Sequence, residues 1–357
     1  MESTTVGIDL AKQLFSICVV DSNGRVVQRK DLNREALAEW LVHLPAGTAV
    51  AMEACSSAHH WARVCRQHGL APKLMAAQFV KPFRKSGAVK NDRNDAEAIA
   101  TAARQGNMRF VSMKTVDQQA RLSWHRAREG YKKDALAAMN RIRGLLAEFG
   151  IAINKSGVAL RRALAQLDAY TLPATLVELI RLQQRHWEAI EQGLAACDAH
   201  IKVQVDQDER CIRIRALTGV GPITADAVVA TLGNAADFRN GRQCAAWMGL
   251  TPSQFGSGGK VVLGSISCRG DTYLRTLLIQ GARSSLQRAK VTPADKMTAE
   301  QIWIVQLAAR LPFGKVIVAI ANKHARQIWA MLARGEAYDP EAWLKHPMVQ
   351  RGGVCTA

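Results

Sequence analysis

The stretch KNDRNDAEAI, residues 90–99, places Asp92 and Asp95 three positions apart in a helix-forming run. Residues so spaced share a helix face, so the two carboxylates repel unless a positive charge sits between them, and a divalent metal is one such charge. Two further acids close strand-like runs: Asp9 in VGID and Glu53 in GTAVAME. Carboxylate oxygens are ligands for hard cations. Four of them from three elements could hold two Mg2+ ions that activate a nucleophile and stabilise the leaving oxygen at a phosphodiester. Taken singly, Asp9 reads equally well as a strand-end residue and the Asp pair as surface charge. Their positions at element ends are what make the four a candidate site.

Two glycine-punctuated stretches add possible nucleic-acid chemistry. LTGVGPITA resembles a helix-hairpin-helix, in which Gly219 and Gly221 let backbone N–H groups approach a phosphate at the start of a helix near Thr224; a plain helix–helix connection has the same look. QFGSGGK sets Ser257 among glycines and ahead of Lys260, as in an exposed loop whose hydroxyl could reach a phosphate, although a flexible linker has this composition too. No histidine lies near Ser257 in sequence to act as its base, so activation would have to come from metals or from Lys260. Arg269, Arg275 and Arg283 downstream are candidate phosphate contacts, with ordinary surface arginines as the alternative. His59 and His60 have no metal-ligand pattern around them, and Trp61, Trp187, Trp247 and Trp303 fall on apolar helical faces that suit core packing.

These residues need elements to position them. Residues 1–112 read as three antiparallel strands, with Ser22-Asn23-Gly24 turning the second into the third, then a helix over 34–44, a buried strand ending near Glu53, a helix over 58–68, the strand APKLMAA and the helix of Asp92 and Asp95. That order predicts a ribonuclease-H-like mixed sheet with helices on both faces. Residues 113–210 read as long helices interrupted at Pro173, a coiled-coil-like region for spacing and oligomerisation. Residues 211–340 form a mostly helical domain carrying the glycine stretches, and 341–357 a tail without a clear signal. The expected class is α/β plus α.

Bulk properties narrow the partner. The 357-residue chain is 48% hydrophobic, which excludes a mainly disordered protein, and its 48 Lys+Arg against 30 Asp+Glu give a formal charge of +18. Cations clustered in this way gain free energy by releasing counterions from a phosphate backbone, so nucleic acid is the expected partner. Eight cysteines without a C-x-x-C pair point to reduced thiols rather than zinc or disulfides. With neither a signal-peptide pattern nor an apolar run of membrane-spanning length, a cytoplasmic protein is expected.

In order, VGIDLAK, MEA, KNDRNDAEAIA, LTGVGPITA, FGSGGK and SISCRGDTYLRTLLIQGARS resemble the DEDD transposases of the insertion sequence 110 family, related to the Piv DNA invertases, over residues 5 to about 335. The resemblance implies a RuvC-like N-terminal domain, a helical coiled-coil middle and a C-terminal transposase domain. It makes Asp9, Glu53, Asp92 and Asp95 ligands of magnesium, and Ser257 the nucleophile of a covalent phosphoserine intermediate. It further implies a homo-oligomer with composite sites and a non-coding bridge RNA that pairs with donor and target DNA. Two departures are visible: Gly256 precedes Ser257 where many relatives have a second serine, and Cys268 stands where relatives commonly carry lysine. Ser265 and Ser267 are fallback nucleophiles. The residues alone also leave open a RuvC-like Mg-dependent nuclease or resolvase that uses water, a sugar- or acetate-kinase-like ATPase suggested by GIDLA, and a non-catalytic DNA-binding protein.

Overall fold

A computed structural model describes residues 4–84, 91–257 and 260–340; the tail 341–357 and the loop glycines Gly258 and Gly259 lie outside the described residues. The chain forms two compact units, residues 1–115 and 116–357.

The first unit runs β1 (Thr5–Asp9), β2 (Leu14–Val20), β3 (Val26–Asn33), α1 (Arg34–Val42), β4 (Ala49–Glu53), α2 (Ala58–Gln67), β5 (Ala71–Met75), α3 (Ala77–Val80), α4 (Asp92–Ala103) and β6 (Phe110–Val111). Its sheet has the order β3-β2-β1-β4-β5-β6. The first three strands are antiparallel, as the Ser22-Asn23-Gly24 turn predicts, and Gly24 takes the positive φ of +84° that such a turn needs. β1, β4 and β5 run parallel. Successive strand residues point to opposite faces. Val6, Ile8, Val50 and Met52 therefore pack with Leu37, Leu41 and Trp61 of α1 and α2, whereas Ala51, Met75, Cys18 and Val20 meet Ile99, Ala96 and Ala100 of α4. The sheet is thus covered on both faces. The two-residue β6, antiparallel to β5, carries too little pattern to be read from sequence.

The second unit begins with α5 (Val116–Ala147), α6 (Gly157–Ala165) and α7 (Ala174–Gln207), which starts directly after Pro173. α5 and α7 lie side by side, with Ile142, Leu146, Ile180 and Trp187 in a shared core. There follow α8 (Glu209–Ile214), α9 (Pro222–Leu232), α10 (Gly241–Trp247), β7 (Pro252–Ser257), β8 (Lys260–Ile266), α11 (Thr272–Val291), α12 (Ala299–Arg310) and α13 (Phe313–Ala333). Ile201 and Val205 of α7 join the core built by α8–α13, so the long helices and the glycine-rich segment are one packed body. Among the described residues no helix is long and apolar enough to cross a membrane.

Candidate active site

The carboxylates of the first unit are brought together by strand register and by one glycine. β1 and β4 pair in parallel with Ile8 opposite Met52, so Asp9 and Glu53 leave the sheet side by side. α4 crosses β1 at Gly7. A Cβ there would lie 2.6 Å from Ala100 N and against the Ala96 carbonyl, so only glycine admits the helix this close. The Asn91 side chain caps α4 by accepting from Arg93 N, and Asp92 and Asp95 occupy the first turn, where the helix dipole favours negative charge. Asp95 is buried and Asp92 exposed.

The four acids sense one another. The Asp9 carboxyl is raised to about 6, first by burial and then by the neighbouring charges of Asp95, Asp92 and Glu53, with Arg84 opposing. Arg84 reaches into the group from the turn after α3. Its Nη2 lies 3.2 Å from Glu53 Oε1 and its Nε 3.1 Å from Asp95 Oδ1. An all-oxygen, all-anionic donor set with one carboxyl driven toward neutrality fits a hard divalent cation. Among the described residues no group of three or more His, Cys, Asp or Glu is gathered tightly enough to hold a metal as the side chains stand. Nothing in the sequence spacing signals the place of Arg84 between two acids.

In the second unit the described residues on either side of Gly258 and Gly259 are strand, where the sequence suggested an exposed loop. Ser257 ends β7 and pairs with Lys260 at the start of β8, which makes a two-stranded antiparallel ribbon. At position 256 a Cβ would strike the Lys260 carbonyl, so glycine lets the two strands close next to Ser257. The ribbon stands in solvent, with Phe255, Val261, Val262 and Leu263 all exposed, and Lys260 exposed beside them. The fallback serines sit at its base: Ser253 Oγ donates to the Ser265 carbonyl, and Ser267 N donates to the Thr251 carbonyl.

The remaining candidates divide. Gly219 has φ +88°, and a Cβ on it would meet Ser285 Oγ at 2.5 Å and the Gly281 carbonyl, so close packing against α11 accounts for this glycine. Gly221 has open space around it and is the N-cap residue of α9, which starts at Pro222, two residues before the expected start near Thr224. Arg275 is buried. Its guanidinium donates to the carbonyls of Met248 and Arg269 and to Thr272 Oγ1, so as placed it ties the loop at the ribbon base together instead of meeting a phosphate. Arg269 and Arg283 are exposed.

A buried polar network escaped the sequence reading. Arg121 Nε donates to Asp226 Oδ1 at 2.8 Å and Arg121 Nη1 to Asp208 Oδ2 at 2.7 Å, while the His125 ring bridges Asp226 Oδ2, at 2.9 Å, and the Tyr273 hydroxyl, at 3.0 Å. Burial pulls the Asp226 carboxyl upward, but its hydrogen bonds from His125 and Arg121 outweigh that and hold it low. Burial pushes the Tyr273 phenol up to about 12, which keeps it protonated and unsuited to nucleophilic attack. The one visible signal was an aspartate inside the otherwise apolar run PITADAVVATL.

The sequence is similar to those of known proteins along nearly its whole length. The family model described as "Transposase IS116/IS110/IS902 family" matches residues 211–297, and a DEDD-type IS110 transposase model matches residues 6–151. A probable family 20 transposase of Pseudomonas aeruginosa is 44% identical over 95% of this chain and 100% of its own length. The transposase for insertion sequence element IS1111A of Coxiella burnetii is 36% identical, covering 93% of this chain and 90% of its own. That for IS1328 of Yersinia enterocolitica is 35% identical, over 94% and 98% respectively. With such identity along nearly the whole chain, and both halves matched, the protein belongs to the IS116/IS110/IS902 family of transposases, enzymes that cleave and transfer DNA.

Proposed function

We propose that this transposase cuts and rejoins DNA through Ser257, acting with the carboxylates Asp9, Glu53, Asp92 and Asp95. In this reading Ser257 Oγ attacks a phosphorus of the DNA backbone. An Oγ–P bond forms, the P–O bond to one sugar breaks, the serine proton is released, and the departing sugar oxygen takes up a proton. A second strand's hydroxyl then displaces serine and restores a phosphodiester. The bond energy is kept in the phosphoserine, so rejoining needs no external energy source. Asp9, Glu53, Asp92 and Asp95 would hold Mg2+, which supplies Lewis acidity to the phosphodiester oxygens. Lys260 and Arg269, both exposed, hold the strand near the ribbon, and Gly221 offers backbone N–H at the start of α9.

The observation that carries the reading is the raised Asp9 carboxyl among three further acids at the ends of β1 and β4 and the start of α4. We assign residues 1–112 to the RuvC-like carboxylate domain, 113–210 to spacing and oligomerisation, and 211–340 to presenting the serine. The exposed apolar side chains of the ribbon support a homo-oligomer that covers them in composite sites. The charge of +18 supports a second polyanion besides DNA, a bridge RNA that selects the sites by base pairing while the enzyme works at the nucleoid. A water-using nuclease is the competing reading, favoured by the fact that all four acids belong to the first unit and the serine to the second.

The test combines the protein, Mg2+, RNA from the element's flank and labelled element-end DNA on a denaturing gel. A covalent adduct that disappears in Ser257→Ala supports the serine route. Free cleaved DNA without an adduct, unchanged by the substitution, establishes the water route instead.

A further inference from the structure

A basic groove of ≈ 540 Å3 lies in the second unit, lined by Arg283, Ser284, Leu286, Gln287 and Lys290 of α11 and by Phe313, the first residue of α13. Among the described residues no carboxylate lines it. Phe313 is 57% exposed, and the Arg283 guanidinium stands 5.9 Å from its ring centroid. An aromatic ring left open at a helix start is costly to hydrate, and here it is flanked by two cations and two side-chain hydrogen-bonding groups. The end of α13 behind it, capped by Pro312 with no side-chain hydrogen bond, continues into Gly314, around which a Cβ would find open space.

We propose that this groove holds an unpaired DNA strand, with one base stacked on Phe313, its flanking phosphates on Arg283 and Lys290, and the polar side chains of Ser284 and Gln287 toward the sugar and base edges. The combination separates an unpaired strand from a duplex. Cations alone attract any phosphate backbone, whereas a ring can stack only on a base that is not enclosed in its own helix. The ligand is in keeping with the family's reaction, because a strand transferred to a new partner has to part from its old complement before it pairs again. The site does not depend on whether serine or water is the nucleophile, so its failure would leave that question untouched.

The test measures binding of fluorescein-labelled oligo(dT), oligo(rU) and a blunt DNA hairpin to the full chain by anisotropy. Phe313→Ala is expected to weaken oligo(dT) binding by about 5- to 100-fold while leaving the hairpin within about twofold, and Phe313→Trp is expected to retain binding. Arg283→Gln with Lys290→Gln should weaken oligo(dT) binding and flatten its salt dependence. An unchanged oligo(dT) affinity in Phe313→Ala, or an equal loss for the hairpin, overturns the proposal. A loss confined to oligo(rU) overturns the assignment to DNA. Unchanged melting temperatures in all variants exclude misfolding as the cause.

Discussion

The carboxylate corner of the first unit and the serine ribbon of the second are built on opposite plans. The corner is fixed by a core: Val6, Ile8, Val50 and Met52 bury the strands on one face, Gly7 admits α4 on the other, and Asp9, Glu53 and Asp95 emerge where those elements end. The ribbon has no core of its own. Phe255, Val261, Val262 and Leu263 are all more than 60% exposed, and only its base is secured, by Arg275 and by the close approach of Gly270 to the Trp247 carbonyl. The acids are therefore set in place by folding, while the ribbon's apolar surface is stabilised only when something covers it.

Substitutions can break this contrast. The largest expected effect is that of Ser257→Ala, which should remove covalent strand transfer altogether while leaving the melting temperature unchanged, because the large side chains around it on the ribbon are exposed; calorimetry beside an adduct assay checks both. Asp226→Ala should be nearly as damaging for the opposite reason. It leaves Arg121 buried without one of its two carboxylate partners, at a cost of about 3–5 kcal/mol, readable from denaturant unfolding. Gly7→Ala should cost about 1–3 kcal/mol by pushing α4 off β1. It should also abolish any rise in melting temperature that Mg2+ gives the wild type, since Asp95 moves with the helix.

A smaller effect comes from pH. His324 is buried and held down to about 4, by burial above all. Its folded-state value lies below its unfolded one, so its contribution is fully present above about pH 6.5 and is lost as pH falls toward 4. His324→Gln should flatten unfolding free energy against pH across that window. The last and smallest change is expected for Val262→Thr on the ribbon, which should leave stability within about 0.5 kcal/mol of the wild type while giving a measurable loss of self-association in sedimentation. A large stability loss there would mean that the ribbon is core after all.

The same contrast explains what the sequence made legible. The acid corner was readable because covered strands impose alternation, Ser22-Asn23-Gly24 marks its turn chemically, and the acids stand where the apolar runs stop. The ribbon was read as a loop because an exposed strand imposes no alternation, and Gly256, Gly258 and Gly259 outweighed the β-branched Val261 and Val262. Arg275 looked like a surface cation because an arginine on an amphipathic helix usually is one, and nothing local announces that the Met248 carbonyl, 27 residues away, joins Thr272 and Arg269 around it. Arg84 meets Glu53 across 31 residues and Arg121 meets Asp226 across 105, beyond the reach of any local pattern.

The most direct test of the account is to trap the reaction with labelled element-end DNA, digest protein and nucleic acid, and locate the nucleotide remnant by mass spectrometry. The account predicts the remnant on the peptide that carries Ser257, on its hydroxyl, and none when Asp95 is replaced by Asn. A remnant on Ser265 or Ser267, or cleaved DNA with no modified peptide, would contradict it.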